Sequence, residues 1–488
     1  MVVLALSKVR FIRDYDKIIL RFIEIHAKLE LKEGVFVIFK RKIYDKLLSW
    51  KESAADEKAL LIEGARRIGK STIAEEFGKN EYRSYLLVDF NDASSLVRDA
   101  FEKHLNDLDT FFMILSTEYN VTLYPGESLV IFDEIQQYPK ARQSIKKLVK
   151  DGRFHYIETG SLISIKENVK DITIPSEERQ LKMFPMDFEE FCFALGENKM
   201  TEYIRKCFAD KKPLDDTLHH KAMLLFKQYM LVGGMPMSVS KFIENNRNFA
   251  LADAEKRDIL SLYANDISKA DVKYRSKIAA IFAQIPAFLS LHEKRVRLSN
   301  IEEGSTFPKY QDTFFWLGNS MIVNECFNCN DPNVGLSLNE DRTYIKCYMG
   351  DTGLLVSHAF NEHEITEGEL YKQILHDNMA INEGMLFENA IAQCLVANGY
   401  PLFFYTHYNK EKRRNDIEID FIISNGSKIK PKIYPIEVKS NKQYTTTSLE
   451  RFMKRFHRRI GNGYIIHTKN LSIKDNIVCI PSYMTFCI

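Results

Sequence analysis

Residues 58–71, KALLIEGARRIGKS, constrain the folding of this 488-residue chain more than any other stretch. The apolar run Ala59-Leu60-Leu61-Ile62 reads as a buried parallel strand. It leads to Gly64, a basic loop, and Gly69-Lys70-Ser71-Thr72 at the start of a helical pattern, STIAEEFGK. The two glycines followed by Lys and Ser have the spacing G-x-x-x-x-G-K-S. Such a loop turns backbone N–H groups inward around a phosphate, at a helix N-terminus whose peptide dipoles already favour anions. The expected cradle for the phosphates of ATP is therefore Gly64, Arg66, Arg67, Ile68, Gly69, Lys70, Ser71 and Thr72. Lys70 is expected to neutralise the β and γ oxygens, and Ser71 to hold Mg2+.

A second anchor follows in SLVIFDEIQ, where Leu129-Val130-Ile131-Phe132 reads as a buried strand tipped by Asp133 and Glu134. With a phosphate loop upstream, this is the layout of a Walker B strand. Asp133 is expected to reach the Mg2+ shell and Glu134 to polarise the attacking water. The strand SYLLVDF falls between loop and acidic tip in the sequence, which suggests the branch of P-loop NTPases with an inserted strand and a catalytic glutamate. A further strand, RFHYIETGS, ends at Thr159, which is either a γ-phosphate sensor or a turn-capping residue.

The length suggests about three domains. The composition, 45% hydrophobic and 27% charged, is that of a globular protein, and the net charge of +2 says little about partners. No apolar run approaches the length of a membrane span, and MVVLALSKVR is too short for a secretory signal. Eight cysteines without a disulfide-framework spacing suit a reducing compartment, so a cytoplasmic location is expected. Cys326 and Cys329 lack a second matching pair and read as ordinary thiols.

An ordered series of motifs runs through most of the chain: GARRIGKS, IFDEIQQYP, ETGS, FPMDFEEF, LVGGMP, YMGDTGLL, GMLFEN, IDF and IEVK. In this it resembles AAA-type ATPases of bacteria and archaea that carry a C-terminal restriction-endonuclease-like domain. The resemblance covers roughly residues 37–470. It implies an α/β fold: a P-loop NTPase core with a parallel sheet, a helical and winged-helix-like middle, and a C-terminal α/β nuclease-like domain. The corresponding ranges are 37–215, 216–345 and 346–488, after a leader, 1–36, of no assigned role. Arg179 stands where the family has a Gly-Arg pair, so it is either a finger or sensor arginine or a solvated loop residue. A finger would act on a neighbour's nucleotide, which makes a homo-oligomer one expectation. In the winged-helix-like segment the presumed recognition helix carries a single cation, Lys309, so packing and coupling fit it better than groove reading.

The C-terminal third holds the other constellation. In IEVK, alternation along a strand puts Glu437 and Lys439 on one face, and Asp420 belongs to the preceding strand of a hairpin. Asp followed by Glu-x-Lys is the layout of restriction-type nucleases, in which carboxylates hold Mg2+ and the lysine positions the water. Glu388, on the helix GMLFENAIAQCLVANG, either completes that metal shell, as the family implies, or is a solvated helix carboxylate. Around the motif stand Lys410, Lys412, Arg413, Arg414, Arg451, Lys454, Arg455, Arg458 and Arg459. This basic rim suits a phosphate backbone and points to DNA as a partner. Holding nucleic acid or protein without cutting is the alternative.

Overall fold

Short β-branched and apolar runs that can be covered on both faces become parallel strands, and the first sheet is built this way. The structure is a computed structural model describing residues 38–161, 176–360, 371, 383–411, 413–425, 432–441 and 443–488. The chain divides after Phe39, and both sheets belong to the unit Lys40–Ile488. The leader at 1–36 lies outside the described residues.

In that unit, β1 (Ala59–Glu63) and β3 (Ser128–Asp133) are buried at every position. With β2 (Ser84–Asp89), β4 (His155–Gly160) and β5 (Glu178–Lys182) they form a five-stranded sheet in the order β2-β3-β4-β1-β5. Every pairing in it is parallel. The inserted strand is therefore β4 and not SYLLVDF, which is β2 at the sheet edge. Sequence order misleads here because each crossover helix lets the next strand dock on either side of those already laid down. Aromatic rings from the sheet and its covering helices interlock on one face. Phe90, Phe101, Phe111 and Phe132 are fully buried, and the Phe101–Phe111 centroids are 4.9 Å apart at an edge-to-face angle of 80°.

The middle of the chain is helical, as its 3.6-residue periodicity predicts. Helices run Asp216–Val232, Pro236–Glu244, Phe249–Lys269, Val272–Ser290 and Phe307–Asn319. Ile278, Ile281, Phe282 and Ile285 form the buried stripe of the fourth. The Gly233-Gly234 break is set by close approach: a Cβ on Gly234 would stand 2.0 Å from the Met186 carbonyl oxygen. The Gly234 N–H donates to Asp351 Oδ2 at 2.5 Å, while Asp351 Oδ1 caps the helix Thr352–Ala359 by accepting from Leu354 N at 2.9 Å. The stretch TGLL of the YMGDTGLL motif thus begins a helix.

An eight-stranded sheet makes up the rest. Its members are β6 (Val323–Cys329), β7 (Glu340–Met349), β8 (Leu402–Asn409), β9 (Arg414–Asn425), β10 (Lys432–Lys439), β11 (Gly463–His467), β12 (Ser472–Lys474) and β13 (Ile477–Pro481). The order is β12-β13-β11-β10-β9-β8-β6-β7. The hairpin β6–β7, assigned by sequence to the winged-helix-like region, joins this sheet through β8, and the boundary drawn at residue 345 falls inside β7. Its alternating polar and apolar residues fit a sheet margin as well as a wing, so the pattern alone does not choose between them. The helix Glu383–Ala397 and the helix Thr447–Arg455 pack against the sheet. Cys326 and Cys329 are both buried in β6 as free thiols. Among the described residues, no helix is long and apolar enough to cross a membrane.

Candidate functional site

The nucleotide loop sits between the end of β1 and the helix Lys70–Glu81, whose N-cap, Gly69, has φ +89°. Only glycine adopts that conformation without strain, and it lets the chain turn so that Lys70 opens the helix. Lys70 is buried, and its Nζ donates to the carbonyl oxygens of Gly64 at 3.2 Å and Ala65 at 2.8 Å. Burial pulls its pKa down to about 8, against the opposing pull of the Glu134 and Asp133 carboxylates. Across the sheet, Ser71 Oγ donates to Asp133 Oδ1 at 2.8 Å, and the buried Thr159 hydroxyl donates to the same oxygen. The Glu134 N–H donates to Thr159 Oγ1 at 3.5 Å.

Three elements therefore bring Ser71, Asp133 and Thr159 to one point, with Glu134 beside it at φ +52°. A left-handed glutamate directly after a strand is uncommon outside functional sites, and Gln136 Nε2 donates to its carboxylate. A serine hydroxyl and an aspartate carboxylate in contact are the hard oxygen donors that Mg2+ takes, so the residues present fit that ion. Arg66 turns outward to Asp266, Nη1 to Oδ1 2.8 Å, and Tyr263 OH donates to the Arg66 carbonyl oxygen at 3.5 Å. Arg67 and Thr72 are exposed, whereas Ile68 is buried. Sequence reasoning missed Arg41, whose guanidinium donates to the carbonyl oxygens of Ile68 at 3.0 Å and Phe184 at 2.6 Å, bracing the loop from below. Nothing in its local pattern marks it.

Arg179 is not brought to this point. It is exposed on the edge strand β5, level with Leu60, whereas the loop leaves β1 beyond Glu63. Its neighbour Glu178 takes the inward position instead, with Oε2 2.9 Å from Arg142 Nε and Oε1 2.8 Å from Nη2.

The C-terminal residues meet in a cleft of about 520 Å³ lined by Lys294, Glu388, Glu418, Asp420, Lys439 and Arg451, among others. Pairing of Phe421 with Ile436 across β9 and β10 sets Asp420 beside Glu437. Asp420 Oδ2 accepts from Val438 N at 2.8 Å, and Lys439 Nζ stands 2.9 Å from Glu437 Oε2. Glu388 is buried rather than solvated. Its Oε2 lies 2.7 Å from Lys294 Nζ, while Oε1 accepts from Tyr348 OH at 2.5 Å and lies 3.6 Å from Lys346 Nζ. Lys346 is also 3.9 Å from Asp420 Oδ1. Burial opposes ionisation of Glu388, yet Lys294 and Lys346 hold its carboxyl down at about 2. Burial raises Asp420, with Glu388 adding to the effect, and burial pushes Glu437 up to about 7.

Glu388, Asp420 and Glu437, the expected metal shell, each have an ammonium group nearby. These carboxylates converge on ammonium groups, and among the described residues no group of three or more His, Cys, Asp or Glu is placed to hold one metal ion. With Lys346 between them, Glu388 and Asp420 do not fit a divalent ion shared by that pair, whereas both Glu437 oxygens are buried and, apart from the Lys439 ion pair, without a hydrogen-bond partner among the described residues. Lys294, Lys346 and Tyr348 were missed by sequence reasoning. Lys346 and Tyr348 lie two apart on one strand and so share a face, a pattern that was open to reading. Lys294 gave no comparable sign, because it sits at φ +50° in a loop from the helical region. Of the cations expected to form a rim, Arg451 lines the cleft, Lys410, Arg413, Arg414, Lys454, Arg455 and Arg458 are exposed, and Arg459, hydrogen-bonded through its backbone to Ile433 at the far end of β10, pairs with Asp331 at 2.5 Å. Lys412 lies outside the described residues. Lys309, the one cation of the presumed recognition helix, pairs with Glu302.

Residues 56–192 match a family model described as an AAA domain. With the parallel sheet and the loop geometry, this defines an AAA-type P-loop ATPase domain. Two models described as domains of unknown function match residues 223–364 and 383–484. No curated protein matches the chain. Among solved structures, C. elegans PCH-2 is similar at 13% identity and TM-score 0.22 over 42% of this chain and 62% of its own. The S. cerevisiae Hsp104-ADP complex is similar at 14% and 0.28, over 76% and 54%. The chain therefore spans less than two thirds of either. Drosophila ORC bound to AT-rich DNA and Cdc6 is similar at 10% and 0.20, over 66% of this chain and 91% of that one.

Proposed function

We propose that this chain is an Mg2+-dependent ATPase that uses nucleotide turnover to control the holding of nucleic acid at its C-terminal cleft. The observation carrying the first part is the convergence of Ser71 and Thr159 on one oxygen of Asp133, 2.8 Å from the Ser71 hydroxyl. In this reading the loop from Gly64 to Thr72 binds the phosphates, and Ser71 and Asp133 hold Mg2+, which neutralises charge on the transferring phosphoryl group. Glu134 orients and deprotonates the attacking water, and Thr159 ties its backbone to Asp133. Lys70 exchanges its two carbonyl partners for phosphate oxygens. Arg179 has no part within its own chain; its exposure at the sheet edge leaves it for a neighbouring copy.

Lys294, Lys439 and Arg451 in the cleft lining, with further exposed Arg and Lys on the strands and helix that build it, support nucleic acid as the ligand there, since clustered cations are what a phosphate backbone binds. Cleavage through a metal is not part of the proposal, because the carboxylates are already paired with lysines.

Glu134→Gln separates binding from turnover. It is expected to keep ATP affinity and to lower phosphate release by about 100-fold or more. The ATP-loaded variant is expected to retain labelled duplex DNA with an affinity that falls steeply with salt. Phosphate release at the wild-type rate contradicts the catalytic assignment, and absence of duplex binding at low salt removes the nucleic-acid part alone.

A further inference from the structure

The fold spends a lysine where the arrangement of acids calls for a metal. Lys346 lies on β7, which the sequence places 42 positions before Glu388 and 74 before Asp420, yet its side chain is 1% exposed and sits between those two carboxylates. Three of their four oxygens have a partner at 2.8 Å or closer, and the fourth, Asp420 Oδ1, has among the described residues only the more distant Lys346. Glu388 Oε1 has Tyr348 OH and Lys346, and Oε2 has Lys294. Asp420 Oδ1 faces Lys346, and Oδ2 accepts the Val438 N–H. A divalent ion bridging Glu388 and Asp420 would need room between them, and the Lys346 ammonium stands in that room, 3.6 Å from one and 3.9 Å from the other.

We propose that Lys346 is a resident cation buried behind the cleft, standing between Glu388 and Asp420 where an ion shared by them would sit, so that Asp420 holds no divalent ion while it is there. A buried ammonium with carboxylates on two sides is stable only while those partners are ionised. Lys294 reinforces the arrangement from the cleft side: it enters from outside the sheet in a left-handed backbone conformation that costs energy unless its surroundings hold it. Lys439, paired with Glu437, lies at the cleft wall and supplies a third ammonium. The cleft wall thus presents the ammonium groups of Lys294 and Lys439, with Lys346 buried behind them, and a phosphate-bearing ligand can add there without bringing an ion of its own. This inference concerns the cleft only and holds or fails independently of the nucleotide reading.

The test is Mn2+ binding to the full chain without nucleotide, followed by the loss of the free-ion paramagnetic resonance signal. Wild type and Asp420→Asn are expected to give the same isotherm. Lys346→Gln, which removes the ammonium and keeps a polar side chain of similar reach, is expected to gain one Mn2+ equivalent, and Lys346→Gln with Asp420→Asn to lose it again. An equivalent bound by wild type and lost in Asp420→Asn overturns the proposal. So does a Lys346→Gln protein that retains the wild-type circular dichroism melt and gains no ion. Should Lys346→Gln fail to fold, the comparison of wild type with Asp420→Asn decides the question by itself.

Discussion

Lys70→Ala is expected to weaken ATP binding by about 100-fold or more, the usual result of removing one partner from a desolvated charge pair. The ammonium is buried between the loop and the acidic strand tip, and in the free chain only the Gly64 and Ala65 carbonyls accept from it. Phosphate oxygens offer full negative charge where carbonyls offer partial charge, so ATP competes well for the same donor. The shifted pKa adds a pH signature. Burial brings Lys70 down from 10.5 to about 8 in the free chain, so above pH 8 much of it is neutral. A bound phosphate restores the charged form, and binding therefore takes up a proton between about pH 8 and the pKa of the complex. ATP affinity should fall as pH rises through that window. Calorimetry at pH 9 in two buffers of different ionisation enthalpy checks the proton uptake, which should vanish in Lys70→Ala.

The second large effect belongs to Glu388. Glu388→Ala is expected to destabilise the fold by about 3 kcal/mol, because it leaves the buried Lys346 ammonium and the half-buried Lys294 ammonium without their shared partner. Among the described residues Lys346 keeps Asp420 as its ion-pair partner, and Lys294 loses its carboxylate at 2.7 Å. The sign with pH follows from the depressed carboxyl. The group titrates at about 2 in the fold against an ordinary 4.5, so the unfolded chain binds the proton first as pH falls. The stabilisation is complete above about 4.5 and is lost on the way down to 2. Urea melts of wild type and Glu388→Ala should be well separated at neutral pH and approach each other toward pH 2. A gap that stays constant would mean that packing and not charge is responsible.

The nucleotide site was largely legible because its geometry is local. A glycine that must be left-handed, a lysine opening a helix and a serine next to it are consecutive, and strand, loop and helix follow in the order the chemistry needs. The acidic pair at the tip of β3 is equally compact. What the sequence withheld depends on how strands choose neighbours. Thr159 lies beside Asp133 because β4 inserts between β1 and β3, a placement that pairing decides and composition does not. The alternatives for Arg179 stayed open for the same reason, since its charge is visible but its height on an edge strand is not. In the cleft, Glu388, Asp420, Glu437 and Lys439 were found as a set, yet their meaning changed once β7 joined the sheet and brought Lys346 among them. Lys294 came from another region altogether, and no periodicity links it to the acids it meets.

The most direct test of the account is the rate of phosphate release from ATP by the full chain in Mg2+, in excess EDTA, and in Mg2+ with Asp133→Asn. The Ser71–Asp133–Thr159 convergence predicts turnover in Mg2+ that falls to background in EDTA and by about 100-fold or more in the variant. Turnover that survives EDTA, or that Asp133→Asn leaves unchanged, would contradict it.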